Sequence, residues 1–239
     1  MDIEGTPRCE HCFMNIALLL SGGTGSRLSS EVPKQYLTVA GKMIITHCLE
    51  RLALHPEIDA VQIVAAPRWR EAILDELPAA AKFRGFSAPG ETRQLSIYHG
   101  LLDIRDYAGE EDTVIIHDAA RPCVSEELIS RCLRRISGHD GVLPVLPMTD
   151  TVYYSEQGTR VDRLLDRGKI FAGQAPEAFR LGKYLEANRV LLPERILAIN
   201  GSTEPAVMAG MDVVMIPGEK GNFKITTAED LARFEELMR

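Results

Sequence analysis

Residues 16–20 (IALLL) form a short unbroken apolar run that ends at SGGTGS, the pattern of a buried strand feeding a glycine loop. Residues 43–54 (MIITHCLERLAL) then place apolar side chains at helical spacing, and 60–66 (AVQIVAA) return to a strand. The alternation continues with a helix near 68–77, a strand near 84–88, a helix over 92–104 and a strand over 113–117 (TVIIH). A helix over 125–137 starts at Ser125, with Glu126 and Glu127 in its first turn where acids complement the helix dipole, and a strand follows at 141–146. Strands alternating with crossover helices predict an α/β fold: a Rossmann-like, mostly parallel sheet flanked by helices on both faces. Ligands of such sheets bind beyond the carboxyl ends of the strands, so the residues there carry most of the functional weight.

The pattern breaks at 149–167 (TDTVYYSEQGTRVDRLLDR). Residues 151–154, a Gln-Gly turn, and Arg160 with Val161 read as a β-hairpin projecting from the sheet, either an ordinary surface hairpin or an arm that pairs with a second subunit. Helical and strand signals resume at 182–191 and 212–216. The last helix begins at Thr227 with Asp230 as capping-box partner and places Leu231, Phe234 and Leu237 on one face. Residues 1–14 read as a frayed N-terminal extension and 15–239 as one domain, with the arm over about 149–168.

Charge narrows the function classes. The 239 residues carry 27 Lys and Arg against 34 Asp and Glu, a net −7, which argues against a general nucleic-acid binder. No apolar run approaches the roughly 20 residues of a membrane span, and the first residues lack signal-peptide character, so the expected location is the cytoplasm, with no membrane partner. Five cysteines suit reduced thiols better than a disulfide framework; Cys9 and Cys12 form a CxxC that no second ligand pair completes as a zinc site.

The glycine loop resists the common fingerprints. A dinucleotide GxGxxG starting at Gly23 needs a glycine where Leu28 stands, one starting at Gly22 fails at Thr24, and no G-K-[ST] follows at Walker spacing. The loop offers instead backbone N–H groups at Ser21, Gly22, Gly23 and Gly25, followed by Arg27 and, after Pro33, Lys34. Two cations beside a phosphate-cradling loop suit a triphosphate whose α-phosphorus is attacked, because they screen the charge that repels an anionic nucleophile. The alternative is a pair of solvated loop residues. A second constellation, VIIHDAARP at 114–122, puts Asp118 at a strand's carboxyl end, where a carboxylate can bind a magnesium ion bridging phosphate oxygens; here His117 reads as structural and Arg121 as either a loop pin or a ligand contact. GETRQLS at 90–96 opens a helix with polar groups suited to a base edge, and GNFKITT at 221–227 places Lys224 just before the terminal helix.

GGTGSRLSSEVPKQYL, GETRQLS, VIIHDAARP, a TDT hairpin start and NFKITTAEDL occur in that order across about residues 15–238, and together they resemble the 2-C-methyl-D-erythritol 4-phosphate cytidylyltransferases and the related ribitol-5-phosphate cytidylyltransferases. The resemblance implies an enzyme of isoprenoid precursor synthesis that joins CMP from CTP to a small polyol phosphate, releases pyrophosphate and uses Mg2+. It implies that Arg27, Lys34 and Lys224 are catalytic and that Ser21, Gly22, Gly23, Gly25, Gly90, Glu91, Ser96, Asp118 and Ala119 bind the nucleotide, Asp118 also holding the metal. Arg121, Thr151 and Arg167 fall on its acceptor-binding positions, and its hairpin is the dimerisation arm of a homodimer. Departures gather on the acceptor side. Tyr153 stands where the family has a lysine, Ala175 where it has a threonine, and Asn200-Gly201-Ser202 where it has TDE or TDD. A ribitol-5-phosphate or other pentitol-phosphate cytidylyltransferase of cell-envelope polymer synthesis is the alternative within this class. Outside it stand a non-catalytic nucleotide-binding regulator and a nicotinamide-binding dehydrogenase.

Overall fold

The computed structural model describes residues 13–23, 32–78 and 82–239. In chain order the elements are β1 (Asn15–Leu20), β2 (Thr38–Val39), β3 (Lys42–Met43), α1 (Ile44–Ala53), β4 (Ala60–Val64), α2 (Pro67–Asp75), β5 (Phe83–Ser87), α3 (Arg93–Arg105) and β6 (Thr113–Asp118). There follow α4 (Glu126–Arg135), β7 (Gly141–Pro147), β8 (Val152–Tyr154), β9 (Arg163–Leu165), β10 (Phe171–Gly173), β11 (Glu177–Arg180), α5 (Leu181–Arg189), α6 (Glu204–Met208), β12 (Val213–Pro217) and α7 (Ala228–Leu237). Every helix and strand expected through residue 147 is present, with ends shifted by a few residues.

The main sheet runs β10-β7-β11-β6-β1-β4-β5, with β12 also on β7. Its β1, β4, β5 and β6 are parallel neighbours, and β12 lies parallel to β7. Alternation along β1 explains the two-faced core. Ala17 and Leu19 pack with Ile45, Leu49 and Leu52 of α1 and Leu128 and Ile129 of α4. Ile16 and Leu18 pack on the other face with Ile97, Leu101 and Ile104 of α3 and Tyr184 and Leu185 of α5. At Gly100 a Cβ would stand 2.5 Å from Leu18, so glycine is what lets α3 lie this close to β1.

Several features differ from the sequence reading, which also did not announce β2, β3, β10 or α6. Strand β11 is antiparallel to both β6 and β7; its four residues follow Gln174-Ala175-Pro176 and offer too short an apolar pattern to announce a strand. The arm's second strand is Arg163–Leu165 rather than the stretch around Arg160 and Val161. Ser155 accepts from Gly158 N (3.0 Å) and Asp162 accepts from Glu156 N (2.7 Å), so side chains close a longer loop in place of a two-residue Gln-Gly turn. In α7, Phe234 is buried but Leu237 is exposed, because the partner cluster of Val39, Ile44 and Ile225 reaches only the middle of the helix. Among the described residues no helix is long and apolar enough to cross a membrane. Cys9 and Cys12 lie outside the described residues, where Cys48, Cys123 and Cys132 are free thiols.

Candidate active site

Because β1, β5, β6 and β12 point the same way, the segments after them meet at one edge of the sheet. They enclose a cleft of roughly 370 Å³, in which Gly22 and Gly23 face Lys34, Glu91, Asp118 and Lys224. The glycine turn is held from below. Gln35 donates to Ser21 O (2.8 Å) and Gly23 O (2.7 Å), and the Tyr36 hydroxyl, itself a partner of Ser21 Oγ at 2.6 Å, stacks its ring on Trp69. Those bonds occupy the Ser21 and Gly23 carbonyls, which suits a loop that offers N–H groups to an anion. Gly22 also touches the neighbouring wall: a Cβ there would lie 2.7 Å from Pro89 Cβ.

The opposite wall begins α3. Thr92 caps that helix by accepting from Leu95 N, and Ser96 Oγ accepts from Gly90 N at 2.9 Å while donating to Thr92 O. Ser96 thus sets the shape of the Gly90 turn, and Glu91 at its tip lines the cleft.

Asp118 is the electrostatic centre. Its Oδ1 accepts from Arg93 Nε at 3.0 Å, its Oδ2 accepts from Lys224 Nζ at 2.9 Å, and Arg121 Nε lies 3.8 Å from Oδ2. Burial alone would push its carboxyl pKa up; Arg93, then Lys224 and Arg121, together hold it well below the usual carboxylate range. Neighbouring His117 is driven the other way, down to about 4, chiefly by burial, and its Nε2–H donates to Arg121 O at 3.1 Å. It is a neutral structural imidazole rather than a base.

Lys224 arrives on the segment after β12, which is pinned by polar groups. Gln174 donates to Glu219 O (2.8 Å) and accepts from Glu219 N (2.9 Å), Asn222 donates to Ala175 O (2.7 Å), and Arg121 donates to Asn222 O (2.9 Å).

Of the residues singled out in the sequence, Gly22, Gly23, Lys34, Gly90, Glu91, Ser96, Asp118 and Lys224 line this one cleft, and Ser21 supports it. Gly25 and Arg27 lie outside the described residues. Ala119 is buried beneath the cleft and Ala120 takes the lining position. Arg121 acts as a loop pin within the Asp118 cluster. Thr151 and Arg167 sit at the foot of the arm, outside the cleft, where Arg167 donates to Thr149 O at 2.9 Å. Sequence reasoning missed Gln35 and Arg93; the PKQ and GETRQLS segments contain both, but residue type alone does not separate a supporting amide or guanidinium from a surface one.

Among the described residues no group of three or more His, Cys, Asp or Glu side chains could hold a metal ion. Among the described residues the acids lining the cleft are Glu91 and Asp118, and Asp118 already accepts from two cations. Magnesium is commonly held by one or two carboxylates together with substrate phosphates, so this donor set fits an ion that comes with a nucleotide and not a resident one.

Comparison with known proteins gives the same outline. A 2-C-methyl-D-erythritol 4-phosphate cytidylyltransferase of Rubrobacter xylanophilus is 36% identical over 231 residues, covering 93% of this chain and 94% of that protein. A bifunctional enzyme IspD/IspF of Paramagnetospirillum magneticum is 34% identical over 91% of this chain, which spans only 55% of that longer protein. The crystal structure of the Francisella tularensis 2-C-methyl-D-erythritol 4-phosphate cytidylyltransferase superposes with a TM-score of 0.79 at 25% identity, covering 95% of this chain and all of that one. The family model described as IspD, 2-C-methyl-D-erythritol 4-phosphate cytidylyltransferase, matches residues 15–239, and the chain belongs to that family.

Proposed function

We propose that the protein transfers CMP from CTP to 2-C-methyl-D-erythritol 4-phosphate and releases pyrophosphate, a step of isoprenoid precursor synthesis. The observation that carries this reading is the meeting of the Gly22-Gly23 turn, Lys34, Asp118 and Lys224 in one cleft of a chain from this family. The glycine turn receives the triphosphate on backbone N–H groups, while the Gly90-Glu91 turn flanks the cytidine. A phosphate oxygen of the acceptor attacks the α-phosphorus in line. The new P–O bond forms as the bond to the β-phosphate oxygen breaks, and the electron pair leaves on pyrophosphate. No covalent enzyme intermediate is required, so catalysis rests on positioning and on charge.

Lys34 and Lys224, with Arg27 from the same loop sequence, neutralise charge that grows on the phosphoryl oxygens in the transition state. Asp118 keeps Lys224 extended into the cleft through their 2.9 Å hydrogen bond. Magnesium bound by the triphosphate, with Asp118 as its protein ligand, would supply further charge neutralisation. The hairpin of β8 and β9 exposes Tyr153, Tyr154 and Leu164, and we take it as the arm of a homodimer that brings Thr151 and Arg167 to the partner's acceptor site. The same reading treats residues 15–239 as one domain working in the cytoplasm.

A pentitol phosphate is the competing acceptor, favoured by one set of positions: Tyr153, Ala175 and Asn200-Gly201-Ser202 lack the lysine, hydroxyl and acid of the family pattern. A panel of polyol phosphates, assayed with CTP and Mg2+ for pyrophosphate release, separates the readings. Turnover with 2-C-methyl-D-erythritol 4-phosphate well above ribitol 5-phosphate is expected. The reverse order would move the enzyme to the pentitol class, and no CDP product from any acceptor while CTP still binds would overturn cytidyl transfer itself.

A further inference from the structure

Behind the cleft lies a carboxylate that the proposed reaction does not use. Glu177, the first residue of β11, is buried, and the Ser202 hydroxyl donates to its Oε2. Ser202 Oγ also accepts from Arg93 Nη1 at 2.9 Å, and the same guanidinium reaches Asp118 Oδ1 through Nε and Nη2, both at 3.0 Å. Arg93 is therefore held at one end by the Ser202–Glu177 pair and at the other by Asp118. The Ser202 backbone is fixed in turn, since Tyr184 donates to its carbonyl at 2.6 Å.

We infer that Glu177 is a positioning residue for the transfer reaction: through Ser202 it fixes Arg93, and Arg93 fixes the Asp118 carboxylate that aims Lys224. The charges agree with this role. Asp118, Arg93, Arg121, Lys224 and Glu177 form a cluster in which two anions offset three cations, and without the second anion Arg93 would lean wholly on Asp118 and weaken its hold on Lys224. A buried carboxylate is an expensive way to fill space. Burial pushes the Glu177 carboxyl pKa up, against the pull of Arg93 and the Ser202 hydrogen bond, so a neutral side chain of the same shape would cost the fold less. The groups facing Glu177 are Arg93 from α3, Asp118 and Arg121 at the end of β6, Cys132 from α4 and Tyr184 from α5.

The inference rests on the cytidyl transfer reading, and Glu177→Gln tests it. With CTP and 2-C-methyl-D-erythritol 4-phosphate, kcat at pH 8 should fall roughly tenfold while KM for CTP stays within about twofold and the melting temperature does not drop. The ratio of wild-type to Glu177→Gln kcat should shrink as pH is lowered, since a protonated Glu177 carries no more charge than glutamine and groups common to both enzymes cancel. Adding Ser202→Asp to Glu177→Gln places a carboxylate beside Arg93 Nη1 and should restore most of kcat. A ratio near one at pH 8, or a ratio constant with pH and accompanied by a lower melting temperature, would overturn the inference. Should Glu177→Gln fail to fold, Ser202→Ala carries the same test, with a smaller expected loss. The Arg93 Nε–H signal in NMR, sharp in the wild type and broadened in Glu177→Gln, reads the positioning without turnover, so an inactive wild type would condemn the assigned reaction and leave this readout to decide the role of Glu177.

Discussion

Asp118 holds its two oxygens between Arg93 and Lys224, and the loop after β12 is pinned so that Lys224 reaches it. Lys34 comes from the other side of the cleft, on the PKQ turn whose Gln35 holds the glycine loop. For Lys34→Ala we expect kcat to fall about a hundredfold or more with a much smaller loss in CTP affinity, because the cation is most needed when charge builds on the α-phosphoryl oxygens. Steady-state kinetics beside a CTP titration would show this, and weaker CTP binding with kcat unchanged would make Lys34 a ground-state contact only. His117 makes a stability prediction of its own. Its folded pKa of about 4 lies below the ordinary 6.5, so its contribution is complete above about pH 6.5 and is lost as pH falls towards 4. The difference between these two values amounts to roughly 3 kcal/mol. Urea unfolding of His117→Asn should lack this part of the acid slope.

At the scale of elements, α7 decides where Lys224 starts. Its capping box is complete: Thr227 accepts from Asp230 N, and Asp230 accepts from Thr227 N. Phe234 then locks the helix onto Val39 and Ile44 beside the PKQ turn, so one helix braces the approach of both lysines. Thr227→Ala should cost about 1 kcal/mol and lower the melting temperature by roughly 2–4 °C, measurable by calorimetry.

This cap was legible in the sequence, since T-x-x-D ahead of an apolar face is a local signal. So were the alternating strands and helices of the first 147 residues, whose periodicity needs no knowledge of partners, and the motif segments that converge on the cleft. Strand β11 and the true register of the arm were not. The first is four residues beside a proline, and the second is set by Ser155 and Asp162 closing the loop with side-chain bonds. The Glu177–Ser202–Arg93 chain joins three elements distant in sequence, and nothing in a linear pattern marks such a contact.

At the scale of the molecule, a net charge of −7 coexists with a cleft that gathers Lys34, Arg93 and Lys224. The net charge of the whole chain therefore says little about the ligand. The arm is the other large-scale feature: Tyr153 and Leu164 are 58% and 64% exposed on a two-stranded hairpin, a size that is marginal by itself in water. If the arm pairs with a second copy, Leu164→Asp should shift the protein from dimer to monomer in analytical ultracentrifugation and lower turnover with the acceptor, while CTP binding persists. A wild-type monomer would remove the arm from the account.

The most direct test of cytidyl transfer follows the phosphorus atoms. With CTP labelled at the α-phosphate in one reaction and at the γ-phosphate in another, incubation with 2-C-methyl-D-erythritol 4-phosphate and Mg2+ should put the α label in the cytidine diphosphate-linked polyol. The γ label should appear in pyrophosphate, in equal amount, and neither should move without acceptor. Label appearing in free CMP or inorganic phosphate, or released without acceptor, would contradict attack by the polyol phosphate on the α-phosphorus.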